Sequence, residues 1–124
     1  MPKPTALVVD DYASMRGVIT EVLKRAGFTE VLQASNGQFA LARLQENKQI
    51  GLVISDWYMP EMDGLSLLRA IKGSRKLAHI PVLMITAEGQ RDNVLDAMQN
   101  GAAGYIVKPF APIDLQHRLE KMFP

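Results

Sequence analysis

Four short apolar runs restrict this chain to very few folds. Ala6-Leu-Val-Val9, Leu52-Val-Ile54, Val82-Leu-Met-Ile85 and Tyr105-Ile-Val107 contain no alternating polar position apart from the tyrosine hydroxyl. A strand with one face in water alternates apolar and polar side chains, so an unbroken run belongs to a strand covered on both faces. A weaker strand pattern lies over Thr29–Ala34. Between the runs the apolar period changes to three and four residues. Met15, Val18, Ile19, Val22, Leu23 and Ala26 form one face of a helix over Ser14–Ala26, with Ser14 as N-cap and Gly27 as the stop. Ser35-Asn36-Gly37 caps a second helix through Phe39, Ala40, Leu41 and Leu44, ending near Asn47. Further helices are predicted over Leu65–Lys72, over Arg91–Gln99 with Val94, Leu95 and Met98 on one face, and over Ile113–Phe123. Gly73–His79 is polar and irregular. Strict alternation of strand and helix implies a doubly wound α/β domain: five parallel strands, five helices on both faces, right-handed crossovers, one unit over residues 1–124.

Composition removes several function classes. Fourteen basic and thirteen acidic residues leave a net charge of +1, which gives no electrostatic case for direct nucleic-acid binding. Without cysteine there is no thiol catalysis and no Cys-based zinc or iron–sulfur site. No stretch approaches the ~18–20 apolar residues of a membrane helix, and Ala6–Val9 is too short for a signal-peptide core. No membrane insertion is expected, and the cytoplasm is the expected compartment. His79 and His117 have no ligand-like neighbours in sequence. The seven methionines follow no stripe and read as core filler.

In an open parallel sheet, ligands sit beyond the carboxyl ends of the strands. The first strand ends at Asp10-Asp11, the third at Asp56, the fourth at Thr86 and the fifth at Lys108. The second ends in nothing distinctive. Taken singly, each residue has an ordinary explanation: a cap, a turn, a solvated charge. Together they place three carboxylates, a hydroxyl and an ammonium on one rim. Three neighbouring carboxylates repel unless a cation intervenes. Lys108 offsets part of that charge, and Mg²⁺, which takes a few carboxylates and keeps open positions, suits the remainder. Such a site accommodates an incoming phosphoryl group. Asp56 leaves the central strand just before a turn built from Met59-Pro60 and Asp63-Gly64, and is best placed as the nucleophile.

Asp10-Asp11, the Asp56 loop, Thr86-Ala87-Glu88, Gly101-Ala-Ala-Gly104 and Lys108-Pro109-Phe110 resemble the receiver domains of two-component response regulators. The resemblance implies the flavodoxin-like strand order 2-1-3-4-5 known for that family. It also implies that Asp56 accepts a phosphoryl group from a sensor histidine kinase or phosphotransfer protein. Asp11, Asp56 and the backbone carbonyl of Tyr58 would hold Mg²⁺, with Asp10 acting partly through metal-bound water. Lys108 would pair with the phosphoryl oxygens and Thr86 would hydrogen-bond one of them. Tyr105 would follow Thr86 inward, and the surface of the fourth helix, fifth strand and last helix would change for a downstream effector protein or fused output domain. Such a protein is a signalling switch rather than a metabolic enzyme. A cis Lys108-Pro109 bond is a further expectation.

Two departures stand out. Tyr58 replaces the small amide found two residues after the phosphoacceptor in the family's chemotaxis regulators, which points to slower self-dephosphorylation. Gly89-Gln90-Arg91 lacks their paired lysines, which weakens any inference of a flagellar-motor partner. Competing readings fare worse. A flavin protein of this fold needs a Ser/Thr/Gly phosphate loop after its first strand, where Asp10 and Asp11 would repel the phosphate. An aspartyl-phosphate hydrolase needs a second Asp two residues past a first-strand nucleophile, where this chain has Tyr12. A receiver-like docking module that is never phosphorylated would not need the full residue set present here.

Overall fold

A computed structural model describes residues 3–87 and 91–124. The elements run β1 (Thr5–Val9), α1 (Ala13–Arg25), β2 (Val31–Ala34), α2 (Gly37–Glu46), β3 (Ile50–Asp56), α3 (Gly64–Lys72), β4 (Val82–Ala87), α4 (Arg91–Gln99), β5 (Gly104–Lys108) and α5 (Pro112–Met122). All strand pairs are parallel, in the order β2-β1-β3-β4-β5. The predicted flavodoxin-like architecture is therefore present.

The sheet separates two cores, as runs apolar on both faces require. Ala6, Val8, Leu52, Ile54, Leu83 and Ile85 pack with Ile19 and Leu23 of α1 and Leu115 and Leu119 of α5. Leu7, Val9, Val53, Val82 and Met84 face the other way, onto Leu44 of α2, Leu67 and Ile71 of α3 and Ala97 of α4. Full burial of each such aliphatic side chain contributes about 1.5–3 kcal/mol.

Several local expectations need correction. Ser14 is not the N-cap of α1. The helix begins at Ala13 behind Tyr12, whose side chain makes no cap bond; the Tyr12 amide instead donates to Asp10 Oδ1 at 2.9 Å. A carboxylate just past the strand end thus holds the amide of the residue that precedes the helix. Gly27 does stop α1, at φ +100°. Val18 and Phe39, assigned to buried helix faces, are exposed. β2 starts at Val31 rather than Thr29, because pairing with β1 begins at Ala6↔Val31 and Phe28 turns inward just before it. On α4 the buried residue is Ala97, while Leu95 and Met98 point outward at 60% and 47% exposure. Not every methionine fills core either: Met84 is fully buried, whereas Met98 is exposed. Glu88, Gly89 and Gln90 lie outside the described residues. The polar Gly73–His79 segment is a series of turns that Lys72 Nζ clamps by donating to Ala78 O at 3.0 Å and Ile80 O at 2.7 Å. Partial burial lowers the pKa of that ammonium.

Candidate phosphoacceptor site

Strand register assembles the rim. Val9 pairs with Ser55, so Asp10 and Asp56 leave adjacent strands at the same level. Asp56 pairs with Ile85, which sets Thr86 one step further out, and Ala87 pairs with Lys108. The side chains meet accordingly. Carboxylate oxygens of Asp10, Asp11 and Asp56 lie within 4.8 Å of one another. Lys108 Nζ stands 3.2 Å from Asp56 Oδ1 and 3.5 Å from Asp10 Oδ2. Asp10 is fully buried, Asp56 is 7% exposed, and Asp11 and Lys108 are half-buried.

Three acids against one ammonium leave two surplus negative charges in a poorly solvated place. The Asp10 carboxyl is held above the ordinary carboxylate range, first by burial and then by repulsion from Asp56 and Asp11. The Tyr12 amide and Lys108 oppose that rise. Three buried oxygens at this rim, Asp10 Oδ2, Asp11 Oδ1 and Thr86 Oγ1, have no hydrogen-bond partner among the described residues. Native interiors rarely leave such atoms orphaned, and the exceptions include catalytic sites and sites that receive water or an ion. Oxygen donors, surplus negative charge and orphaned lone pairs fit a hard divalent cation.

The loop after β3 is built to hold Asp56 steady. Trp57 N donates to Asp56 Oδ1 at 2.9 Å, and Ser55 Oγ donates to the Asp56 carbonyl at 2.9 Å. Trp57 itself is buried among the α2–α3 core residues, so it anchors the loop rather than serving the chemistry. Met62 N bonds Pro60 O at 2.8 Å across Glu61, whose φ of 70° is rare for a residue with a side chain. Gly64 N then donates to Trp57 O at 2.8 Å. A Cβ on Gly64 would collide with the Asp56 carbonyl oxygen, so only glycine allows this approach. Asp63 caps α3 through Ser66 N at 2.8 Å.

Other predicted residues fall as follows. Tyr58 follows Asp56 by two positions, is exposed, and its hydroxyl accepts a hydrogen bond from Asn93 Nδ2 of α4 at 3.2 Å. Tyr105 is half-buried against the α2–α3–α4 core. The Lys108-Pro109 bond is cis, as expected. His79 and His117 are exposed and distant from the acids in the fold's element order. Arg16 was not foreseen: its Nη1 donates to the Asp10 carbonyl at 2.7 Å. Nothing in the sequence separates it from a solvated helical arginine.

A doubly wound sheet whose carboxyl edge joins an acidic triad to a lysine defines the class, and the chain belongs to the response regulator receiver domain family, whose sequence model matches residues 6–120. Receiver domains act in two-component signalling, generally as phosphorylation switches with an acidic Mg²⁺ pocket. Among individual relatives, the chain is 43% identical to the chemotaxis protein CheY of Pseudomonas aeruginosa over 117 residues, 94% of each. It is 42% identical to CheY-3 of Vibrio cholerae, covering 94% of this chain and 89% of that protein. Of solved structures, the chemotaxis response regulator CheY4 of Vibrio cholerae superposes with a TM-score of 0.87 at 33% identity, covering 97% of this chain and 98% of that one. A putative response regulator from Chloroflexus aurantiacus superposes at 0.89 with 31% identity and 96% coverage of both.

Proposed function

We propose that this chain is a phosphorylation-operated switch with Asp56 as phosphoacceptor. The observation that carries the reading is the meeting of Asp10, Asp11, Asp56 and Lys108 within one buried rim. Asp56 Oδ1 is engaged by the Trp57 amide and lies beside Lys108, which leaves Oδ2 with free lone pairs. A carboxylate oxygen attacks the phosphorus of a phosphohistidine on a kinase or phosphotransfer protein. The P–N bond breaks, its electron pair stays on the imidazole nitrogen, and an acyl phosphate forms on Asp56.

Asp11, Asp56 and the Tyr58 carbonyl would hold Mg²⁺, with Asp10 close behind, and the ion would neutralise charge on the transferring group. Lys108, freed from sharing two carboxylates, pairs with a phosphoryl oxygen. Thr86 Oγ1, buried without a partner, supplies a hydroxyl to another. Tyr105, half-buried on the neighbouring strand β5, then repacks and alters the surface of α4, β5 and α5. That surface already carries exposed Leu95, Met98 and Val107, apolar contacts for an effector protein or output domain. Phosphorylation shifts the population only as far as the phosphoryl group prefers the altered arrangement. The described residues operate as one receiver unit in the cytoplasm, and the chemotaxis proteins among its relatives make a chemotaxis partner the first to test.

Incubation with acetyl phosphate and Mg²⁺, read by intact mass, is expected to add one phosphoryl group to the native chain and none to Asp56→Asn. Labelling that survives Asp56→Asn would relocate the site.

A further inference from the structure

The polar groups of Asp10 are almost completely committed. Its amide donates to Ala34 O of β2 at 3.1 Å, and its Oδ1 accepts the Tyr12 amide. Its carbonyl, projecting beyond the last residue of β1, accepts from Arg16 Nη1 at 2.7 Å. Only Oδ2 remains, and it faces Lys108 and the other two acids.

Arg16 is itself held on a second side. Its Nε donates to Gln33 Oε1 at 3.0 Å, and Gln33 Nε2 donates to Thr20 Oγ1 at 3.2 Å. A closed chain of bonds thus ties the end of β1, the first turns of α1 and the edge strand β2. The guanidinium forms no ion pair among the described residues. Its two bonds go to a neutral carbonyl and a neutral amide, with the rigid fork geometry that only arginine offers. A cation beside an acidic pocket that serves no carboxylate is there for geometry.

We propose that Arg16 is a positioning residue for the cation site, fixing the Asp10-Asp11 turn so that Oδ2 of Asp10 and the Asp11 carboxylate point into the rim. The proposal rests on the Mg²⁺ reading above. Groups that orient metal ligands from behind typically change metal affinity 10–100-fold when removed. Arg16 acts at one remove, through a backbone carbonyl, so the lower end of that range applies.

The test uses the sign of the effect. Arg16→Met keeps the aliphatic stem and deletes the charge. If Arg16 acted only through its charge, its loss would strengthen binding of a divalent cation. Acting by position, its loss weakens binding about ten-fold. Mg²⁺ titrations of the intact chain are read by fluorescence of Trp57, the single tryptophan, whose amide bonds Asp56, and by calorimetry. Gln33→Ala leaves the charge and the Asp10 bond but removes the second anchor, and is expected to weaken Mg²⁺ in the same direction by a smaller factor. Arg16→Lys, a donor without the fork, is expected to fall between native and Arg16→Met. Should Arg16→Met fail to fold, the other two variants decide. Affinity unchanged or tightened in folded variants overturns the assignment, as does lowered thermal stability with native Mg²⁺ affinity, the mark of a merely structural role. Absence of Mg²⁺ binding by the native chain would remove the cation site itself and this inference with it.

Discussion

Replacing Asp10 by Asn should make the metal-free protein more stable while weakening the site that Asp10 serves. Asp10 is fully buried, and its carboxylate lies within 4.8 Å of those of Asp11 and Asp56. At an effective dielectric of about 20, each such pair repels by about 3.5 kcal/mol, together about 7 kcal/mol. Lys108, at 3.5 Å, attracts by about 5 kcal/mol on the same scale. Repulsion therefore exceeds attraction by about 2 kcal/mol, before the cost of burying the charge is added. The asparagine carbonyl can retain the Tyr12 amide bond, and its neutral amide group no longer repels Asp11 and Asp56. A gain of about 1–2 kcal/mol in unfolding free energy is expected in EDTA.

Urea denaturation with and without Mg²⁺ measures this. A ligand that binds only the folded state at 100 times its dissociation constant adds about 2.7 kcal/mol. Native protein should approach that increment, and Asp10→Asn should gain much less, so the order of stabilities narrows or reverses when Mg²⁺ is added. The pH dependence has a fixed sign. Because the folded-state pKa of Asp10 is raised, its penalty is absent below the ordinary value of 3.8, where the carboxyl is protonated folded or unfolded. The penalty grows as pH rises through the raised folded value. The advantage of Asp10→Asn without metal should thus be negligible near pH 3.5 and full at neutral pH. A variant less stable than native protein in EDTA at pH 7 would refute the electrostatic account.

Gly64→Ala forces a methyl group into the Asp56 carbonyl and to 2.9 Å from Met84 Cε. It should cost more than about 3 kcal/mol by thermal or urea unfolding, whereas Gly→Ala at a site whose backbone suits alanine stabilises by about 0.4–1 kcal/mol. The helix caps give a paired test: Asn36→Ala and Asp63→Ala each remove a bond to a helix amide and should cost about 1 kcal/mol. Ser14→Ala removes none and should be neutral within about 0.5 kcal/mol. Tyr58→Asn removes both the phenol next to the acceptor and its bond from Asn93, and should shorten the lifetime of the phosphorylated chain in a decay assay. An unchanged lifetime would remove any shielding role for that ring.

How much of this was readable beforehand depends on which interaction decides each position. Strand identity and order of chemistry were legible, because burial on both faces leaves an unbroken apolar run and because each of Asp10, Asp56, Thr86 and Lys108 ends such a run. The same logic failed on α4. Periodicity places Val94, Leu95 and Met98 on one stripe, yet the sheet takes Ala97. A small residue lets a helix approach closely, so the widest apolar stripe is not always the one that packs. On this chain the leftover stripe lies on α4, which packs against β5, whose Val107 is also exposed, where the proposed switch would act.

The Asn36 cap of α2 was legible and is present, but the Ser14 cap failed for a related reason. Ser14 has the right side chain for an N-cap, but Asp10 fixes the Tyr12 amide across the turn, and the helix starts one residue earlier with Tyr12 O taking the Arg16 amide. A bond made from just beyond the preceding strand is invisible to a local pattern. Arg16 was illegible for the same cause, since its partners, the Asp10 carbonyl just past β1 and Gln33 on β2, lie six residues upstream and 17 residues downstream. What one sequence reveals is therefore the chemistry delivered by each strand end. The bonds that aim that chemistry cross between elements, and only the fold brings them into view.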